Sequence, residues 1–287
     1  MTSATTRRAM GGSSRPDPVY VMGRSDDETT ALTVRAKFFQ RSTRRLLEDA
    51  RIGTGMKVLD VGTGPGDVAL LAAELVGPTG LVVGVDADPA VVAVARGRAE
   101  AAGAQHVKFV AGDIRETEFL HDFDAVVGRL VLMYSTDQVA TLRAAASSLK
   151  PGGVAAFYEM DMGGGVESYP PSALHQFLGH CVSETFARAG VEVAMGTKLR
   201  HVFRAAGLQE PRLCTDRIIG GGSIWVTRFG EFGASLLRSM LPLIVQHGVA
   251  TAEQIGLDTF EARYRDEVID QDSVVQWLPC VGAWAQK

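Results

Sequence analysis

The sequence predicts an α/β fold in which a doubly wound, mostly parallel sheet carries helices on both faces. Two observations predict it. Between residues 57 and 159, short apolar segments alternate with helix-like segments, as in consecutive βαβ units. The apolar segments are also nearly continuous, which is typical of parallel strands that are buried on both faces.

The expected elements follow one another regularly along the chain. A first helix is expected over residues 29–50, where apolar side chains recur at helical intervals. The expected strands are residues 57–61, 81–85, 107–110, 123–127 and 154–159. The expected helices between them are residues 67–75, 89–102 and 136–149. Asp88 and Pro89 suit the cap and first position of the second of these helices.

Beyond residue 160 the alternation is less regular. We expect helices over residues 172–189, 198–206 and 229–247, and strands over residues 211–219 and 274–285.

Composition excludes several classes of protein. The formal net charge of −4 gives no basic face for nucleic acid and no general attraction to anionic membranes. Cys181, Cys214 and Cys280 are far apart and form no C-x-x-C motif, so we expect free thiols and a cytoplasmic protein. We expect no signal peptide, no membrane span and no catalytic metal, because the matching sequence patterns are missing.

The strongest functional signal is the segment Val58–Asp67, VLDVGTGPGD, where a strand runs into a glycine-rich turn that opens a helix. Such a turn lets a ligand lie against the backbone, and the helix N-terminus favours a ligand carboxylate. The spacing is G-x-G-x-G rather than the G-x-G-x-x-G of dinucleotide sites, and Asp67 would repel a diphosphate. S-adenosylmethionine (SAM) has no phosphate but carries an ammonium and a sulfonium, near which Asp60 can lie.

Three further signals stand at the ends of the next three strands. Asp86 follows Gly66 by twenty positions and can accept both ribose hydroxyls, with Ala87 against the adenine. Asp113 can accept a hydrogen bond from the adenine amino group, while Ile114 covers the ring. The backbone of Gly128-Arg129-Leu130 would lie beside the methionine part.

Each of these signals alone is also typical of an ordinary loop or cap. Their order at successive strand ends makes one coherent site.

With these motifs the sequence resembles the class I SAM-dependent methyltransferases. Within them it is similar to the ubiquinone/menaquinone-biosynthesis group and to bacterial natural-product and other small-molecule relatives. The matching text is VLDVGTGPGDVALLAA, VVGVDADP, AGDI and LKPGGVAAF, and the similarity covers about Met56 to Glu159.

The resemblance implies a Rossmann-like, seven-stranded sheet whose last strand is antiparallel, and it implies SAM as cofactor. It also implies that Asp60, Gly62, Gly64, Asp86, Asp113 and Arg129 surround SAM. The predicted cofactor-binding set is completed by Thr63, Gly66, Ala87, Ile114 and Leu130.

The resemblance also guides the domain organisation. Residues 1–19 are expected to form a disordered tail, and residues 20–55 an N-terminal helical lid that begins with the family-like segment YVMGRS. Residues 56–160 are the expected SAM-binding core. Residues 161–287 are expected to supply lid helices and to complete the sheet within the same domain.

Candidate catalytic residues are Tyr20, Glu159 and Asp161. Tyr20 can close over SAM or reach the acceptor, or else pack in the N-terminal lid. Either acid can take a proton from the acceptor or steady a developing cation, or else serve as a solvated or capping group. His121, His175 and His180 are weaker candidate bases, and Trp225, Phe229 and Phe232 can line an apolar pocket or belong to the ordinary core.

The expected function is SAM-dependent methyl transfer to a small apolar or aromatic metabolite in bacterial secondary metabolism, with carbon or oxygen methylation slightly preferred. Nucleic acid and membranes are not expected as partners, and a homo-oligomer through the N-terminal helix is left open. One alternative is a SAM-fold enzyme that couples methylation to cyclisation or acts without net transfer. Another is a non-catalytic SAM-binding protein. The glycine spacing and Asp67 disfavour an NAD-dependent dehydrogenase.

Overall fold

A computed structural model describes residues 28–116 and 121–287 of the chain. The expected tail, residues 1–19, and the candidate residue Tyr20 lie outside the described residues. The strands are β1 Lys57–Val61, β2 Leu81–Asp86, β3 Val107–Ala111, β4 Phe123–Arg129, β5 Leu149–Met160, β6 Glu167–Tyr169, β7 Arg212–Asp216, β8 Ile219–Gly220, β9 Val274–Gln276 and β10 Cys280–Gln286. The α-helices are α1 Glu28–Asp49, α2 Asp67–Val76, α3 Pro89–Ala101, α4 Gln138–Ser147, α5 Ala173–Arg188, α6 Met195–Ala205, α7 Gly222–Gln246, α8 Ala252–Ile255 and α9 Leu257–Asp270.

The main sheet has seven strands in the order β3-β2-β1-β4-β5-β10-β7. The first five of these are parallel to one another, and β10 is antiparallel to both of its neighbours. Since β10 is the last strand along the chain, the predicted seven-stranded sheet with an antiparallel last strand is confirmed. The strand order reverses between β1 and β4, and open α/β sheets bind ligands at such a switch point.

The register of the parallel strands brings separate motifs together. Val61 at the end of β1 pairs with Val85 of β2 and with Gly128 of β4. The glycine-rich turn after β1 therefore lies between the ends of β2 and β4. Asp86 and Arg129, which are distant in sequence, stand on its two sides.

The prediction of two single strands in the C-terminal part is wrong, because each predicted segment forms two strands. Residues 211–219 divide into β7 and β8, and residues 274–285 divide into β9 and β10. β7 and β10 belong to the main sheet, whereas β6, β9 and β8 form a second, antiparallel sheet. Pro279 has no N–H for a strand ladder, and the buried side chains of Trp277 and Leu278 lie at the corner between β9 and β10.

Helix α9 lies in a stretch for which the sequence patterns above predict no element. Its buried residues Phe260, Tyr264 and Val268 recur every four positions, so they form one face of the helix. That face packs against neighbouring helices, principally α7. Charged residues fill most of the intervening positions and mask the apolar period.

None of the helices in the described ranges is both long and apolar enough to cross a bilayer.

A buried hydrogen-bond chain joins α9, α5 and β9. The hydroxyl of Tyr264 lies 3.0 Å from Nδ1 of His175, and Nε2 of His175 lies 2.9 Å from the carbonyl oxygen of Gln276. Burial lowers the pKa of His175, so the ring is neutral at pH 7. Nε2–H then donates to the carbonyl of Gln276 while Nδ1 accepts from the hydroxyl of Tyr264.

We expect Tyr264→Phe to lower the free energy of unfolding by about 1–3 kcal/mol, because it leaves the buried Nδ1 of His175 without a donor. Urea denaturation at pH 7.5 measures the change. Tyr169→Phe is the matched control, because the Tyr169 side chain is exposed and should tolerate the loss of its hydroxyl. Equal stability of the two variants would contradict the assigned chain.

Candidate functional site

A cavity of about 770 Å³ opens at the carboxyl edge of the sheet, where the strand order reverses. The segments after β1, β2 and β3 contribute its polar wall, which includes Thr63, Asp86 and Asp113. Helices α1, α5 and α7 contribute its apolar wall together with Met160 and Trp277. The cavity is the natural candidate for the binding site because the predicted motifs border it.

The turn between β1 and α2 depends on glycine. Gly62, Gly64 and Gly66 have φ angles of 63°, 54° and 87°, in the left-handed region that favours glycine. A Cβ atom on Gly62 would lie 2.4 Å from Cγ2 of Val131. The sequence therefore needs glycine at position 62 for two reasons, the backbone conformation and the close approach of the segment after β4.

Asp86 ties the end of β2 to this turn. One carboxylate oxygen accepts a hydrogen bond of 2.9 Å from the backbone N–H of Gly64, and the other accepts one of 3.0 Å from that of Asp88. Each carboxylate oxygen has a second lone-pair direction. Asp86 lines the cavity, so it can both fix the turn and accept hydrogen bonds from a ligand.

Asp60 lies beneath the turn and is fully buried. Its Oδ2 accepts a 2.7 Å hydrogen bond from the hydroxyl of Thr63, whereas Oδ1 has no hydrogen-bond partner among the described residues. Burial raises the pKa of Asp60 to about 7, although Thr63 and the charge of Arg129 lower it. Asp60 is not part of the cavity surface, but Thr63 is.

Asp67 begins α2 and lines the cavity, and two arginines lie beside it. Nη2 of Arg98 lies 2.7 Å from one carboxylate oxygen, and Nη2 of Arg129 lies 3.7 Å from the other. Arg129 also lines the cavity and donates a 3.2 Å hydrogen bond to the hydroxyl of Thr43. The two guanidinium groups balance the charge of Asp67, so the carboxylate by itself does not exclude an anionic ligand from this wall.

The segment after β3 borders the cavity on the far side of Asp86. Gly112, Asp113 and Ile114 all line it, and Ala87 lines it from the end of β2. The carboxylate of Asp113 accepts hydrogen bonds from the side chain of Arg115, one of them 3.0 Å long from Nε. The predicted adenine-side residues are therefore together in one wall.

The segment after β4 carries an unusual backbone conformation. Leu130 has a φ angle of 54°, which is uncommon for a residue other than glycine. Its N–H donates a 2.8 Å hydrogen bond to the carbonyl oxygen of Tyr158 in β5. Strained positions of this kind cluster at functional sites, and Leu130 lines the cavity.

The apolar wall was only partly foreseen from the sequence. Val182 and Phe186 of α5, and Phe232 and Leu236 of α7, line the cavity. Each pair is spaced by four residues, so each presents one helix face, and this spacing is the sequence signal that identifies them. Trp277, which the sequence patterns place in a strand, lines the cavity from the corner between β9 and β10.

Aromatic stacking holds α1 and α7 together beside this wall. The ring of Phe38 stacks on that of Phe232 with centroids 3.8 Å apart, and Trp277 contacts the ring of Phe232 edge-to-face at 4.9 Å. Of the three aromatic residues predicted as pocket candidates, Phe232 lines the cavity, whereas Trp225 and Phe229 do not.

Glu159 and Asp161 lie outside the cavity surface. Glu159 is fully buried, and its carboxylate accepts hydrogen bonds of 3.0, 2.9 and 3.3 Å from the backbone N–H groups of Val131, Leu132 and Met133. Burial raises the pKa of Glu159 to about 7, against the effect of these hydrogen bonds.

The carboxylate of Asp161 accepts a 3.2 Å hydrogen bond from the N–H of Gly163 and a 2.9 Å bond from that of Thr197. Both acids are thus occupied in holding backbone segments near the strand ends. Their catalytic roles stay predictions, as does that of Tyr20, which is outside the described residues.

The three histidines named as weaker bases are not part of the cavity surface either. His121 is exposed and lies 2.7 Å from a carboxylate oxygen of Asp122, His175 belongs to the buried chain with Tyr264, and His180 is exposed on α5. Within residues 28–116 and 121–287, no group of three or more His, Cys, Asp or Glu side chains is arranged to hold a metal ion.

Part of the chain is similar in sequence to known methyltransferases. Residues 52–207 match the family model described as a methyltransferase domain. The chain is 34% identical over 122 residues to the aklanonic acid methyltransferase DauC of a Streptomyces species, across 42% of this chain and 56% of that protein. It is 35% identical over 112 residues to the demethylmenaquinone methyltransferase of Staphylococcus aureus, across 39% of this chain and 46% of that protein.

The matched region spans about half the length of these two curated relatives. Among solved structures, the YcgJ protein of Bacillus subtilis has the same fold, with a TM-score of 0.56 at 18% identity, over 86% of this chain and 98% of that one.

We expect Glu159→Gln to lower the free energy of unfolding by about 1–3 kcal/mol, because an amide has only one oxygen for the three backbone donors. Urea denaturation measures the change. Glu184→Gln, at an exposed ion pair on α5, is the control for stability. Unchanged stability of Glu159→Gln would contradict the structural role of the three hydrogen bonds.

Proposed function

The chain belongs to the methyltransferase-domain family of class I SAM-dependent enzymes, and from this membership we propose that it transfers the methyl group of SAM to a small apolar or aromatic molecule. The observation that carries the proposal is the continuity of the cavity. A polar wall suited to a nucleoside and an apolar wall suited to an organic acceptor border the same space.

The residues of the polar wall fit the chemistry of SAM. The glycine turn allows a ligand to lie against the backbone, and the N-terminus of α2 favours a carboxylate. Asp86 would accept the ribose hydroxyls, while Ala87, Asp113 and Ile114 would enclose the adenine. Gly62, Thr63, Gly64, Arg129 and Leu130 would surround the methionine part, with Asp60 acting from beneath through Thr63. Gly66, also predicted for this set, is not part of the cavity surface and would act through the backbone conformation of the turn.

The chain's own contribution to methyl transfer would be alignment. SAM supplies a methyl carbon that is already activated by a sulfonium, so the two walls need chiefly to hold the acceptor in line with it. Such positioning contributes on the order of 7–11 kcal/mol. Apolar residues of α1, α5 and α7 would exclude water from the reacting atoms.

The apolar wall supports the proposed class of acceptor. Phe186, Phe232 and Trp277 offer ring surfaces, which favour an apolar or aromatic molecule. The two relatives are named for aklanonic acid and demethylmenaquinone, which supports a small organic acceptor here. The proposed setting is bacterial secondary metabolism. Carbon or oxygen methylation keeps the slight preference that the resemblance of the sequence gives it, and the free thiols of the three cysteines suit the cytoplasm.

Product mass tests this function. Incubation of the protein with SAM and a bacterial metabolite extract should yield a product heavier by one methylene unit, with an equal amount of S-adenosylhomocysteine. Mass spectrometry with SAM labelled in its methyl group identifies that product. A product of unchanged mass would indicate cyclisation without net transfer, and tight SAM binding with no turnover of any component would indicate a binding protein.

We expect Asp86→Ala to weaken binding of S-adenosylhomocysteine by about 1–3 kcal/mol, because ribose hydroxyls and the N–H of Gly64 lose their acceptor. Calorimetry measures the change. Asp124→Asn is the matched control, since Asp124 also accepts a backbone hydrogen bond, from Lys57, but lies at the amino end of β4. Unchanged affinity in Asp86→Ala, or equal losses in both variants, would refute the ribose assignment.

A further inference from the structure

A pair of hydroxyl groups lies in the cavity wall between β4 and α4. Ser135 and Thr141 both line the cavity, and their oxygens are 2.7 Å apart. Neither belongs to the predicted site, because a serine after a strand and a threonine within a helix are ordinary residues in the sequence.

One hydroxyl hydrogen of the pair has no acceptor among the described residues. The Oγ of Ser135 accepts a 3.3 Å hydrogen bond from the N–H of Asp137. Two hydroxyls carry two hydrogens, and one of these lies between the two oxygens. The other has no acceptor among the described residues, whichever of the two hydroxyls carries it, so it is available to a molecule in the cavity.

The pair stands next to the apolar wall. Met133 and Tyr134 precede Ser135 and also line the cavity, and the ring of Tyr134 lies 6.1 Å from that of Phe186 between centroids. A ligand oxygen that enters such surroundings without a hydrogen-bond donor is unfavourable. A donor at this place therefore discriminates between apolar molecules of equal shape that do and do not carry such an oxygen.

We propose that the hydroxyl pair of Ser135 and Thr141 donates a hydrogen bond to a carbonyl or carboxylate oxygen of the methyl acceptor and so orients it. The proposal rests on the methyltransferase function proposed above. It narrows the acceptor from an apolar or aromatic molecule to one that carries such an oxygen. Ser135 and Thr141 are thus specificity-determining residues and take no proton from the acceptor.

The test uses two planar probes of matched shape, fluorenone and fluorene, which differ by one carbonyl oxygen. Equilibrium dialysis in saturating S-adenosylhomocysteine measures their affinities for the full chain. We expect the wild-type protein to bind fluorenone about fivefold more tightly than fluorene, which is the value of one neutral hydrogen bond. Equal affinities, or no binding of either probe while S-adenosylhomocysteine is bound, would overturn the proposal.

Variants locate the donor. In the double variant Ser135→Ala/Thr141→Val, the preference should fall to about one while the affinity for fluorene stays unchanged, because the shape of the wall is retained. Thr141→Ser should keep the preference, as should the control Ser147→Ala, whose exposed hydroxyl on α4 donates to the carbonyl of Ala144. A preference that survives in the double variant would refute the assignment.

The affinity for S-adenosylhomocysteine, measured separately by calorimetry, distinguishes the two proposals. If the wild-type protein does not bind S-adenosylhomocysteine, the methyltransferase function is refuted. If it binds S-adenosylhomocysteine but binds fluorenone and fluorene equally, only the role of the hydroxyl pair is refuted.

Discussion

The turn between β1 and α2 is the constraint on which the rest of the site depends. Three of its residues have left-handed backbone angles, which glycine adopts without strain. Because the turn is tight, α2 starts directly above the sheet edge, and the segment after β4 approaches Gly62 closely. A side chain at position 62 would clash with Val131 in that segment and would also strain the turn.

The carboxylate of Asp86 stabilises the glycine turn and also lines the cavity. Its oxygens hold the N–H groups of Gly64 and Asp88, and the parallel pairing of β1 and β2 sets the distance across which it does so. The remaining lone pairs face a cavity, where they can serve a ligand. Backbone hydrogen bonds thus hold the Asp86 side chain in place before any ligand binds, so this part of the proposed ribose site is preorganised.

Glu159 has similar chemistry and a different placement. Its carboxylate also accepts backbone hydrogen bonds, but three of them, and it is buried away from the cavity. Those bonds shape the segment that carries Met133, Tyr134 and Ser135 into the cavity wall. A carboxylate at a strand end can therefore order the backbone of a cavity wall from outside the cavity surface.

The sheet core and the polar wall of the cavity could be predicted from the sequence, because both depend on local rules. Each signal lies within a short segment: an apolar strand, a glycine turn, or an acid at the end of the next strand. Periodicity and backbone preference therefore predict each segment without knowledge of the others. The apolar wall and the hydroxyl pair, by contrast, come together only through tertiary packing. Trp277, Phe186 and the hydroxyls of Ser135 and Thr141 come from elements distant in sequence, and only packing brings them to one cavity. The division of residues 274–285 between two sheets has the same origin, since strand partners are chosen by contacts that no short segment contains.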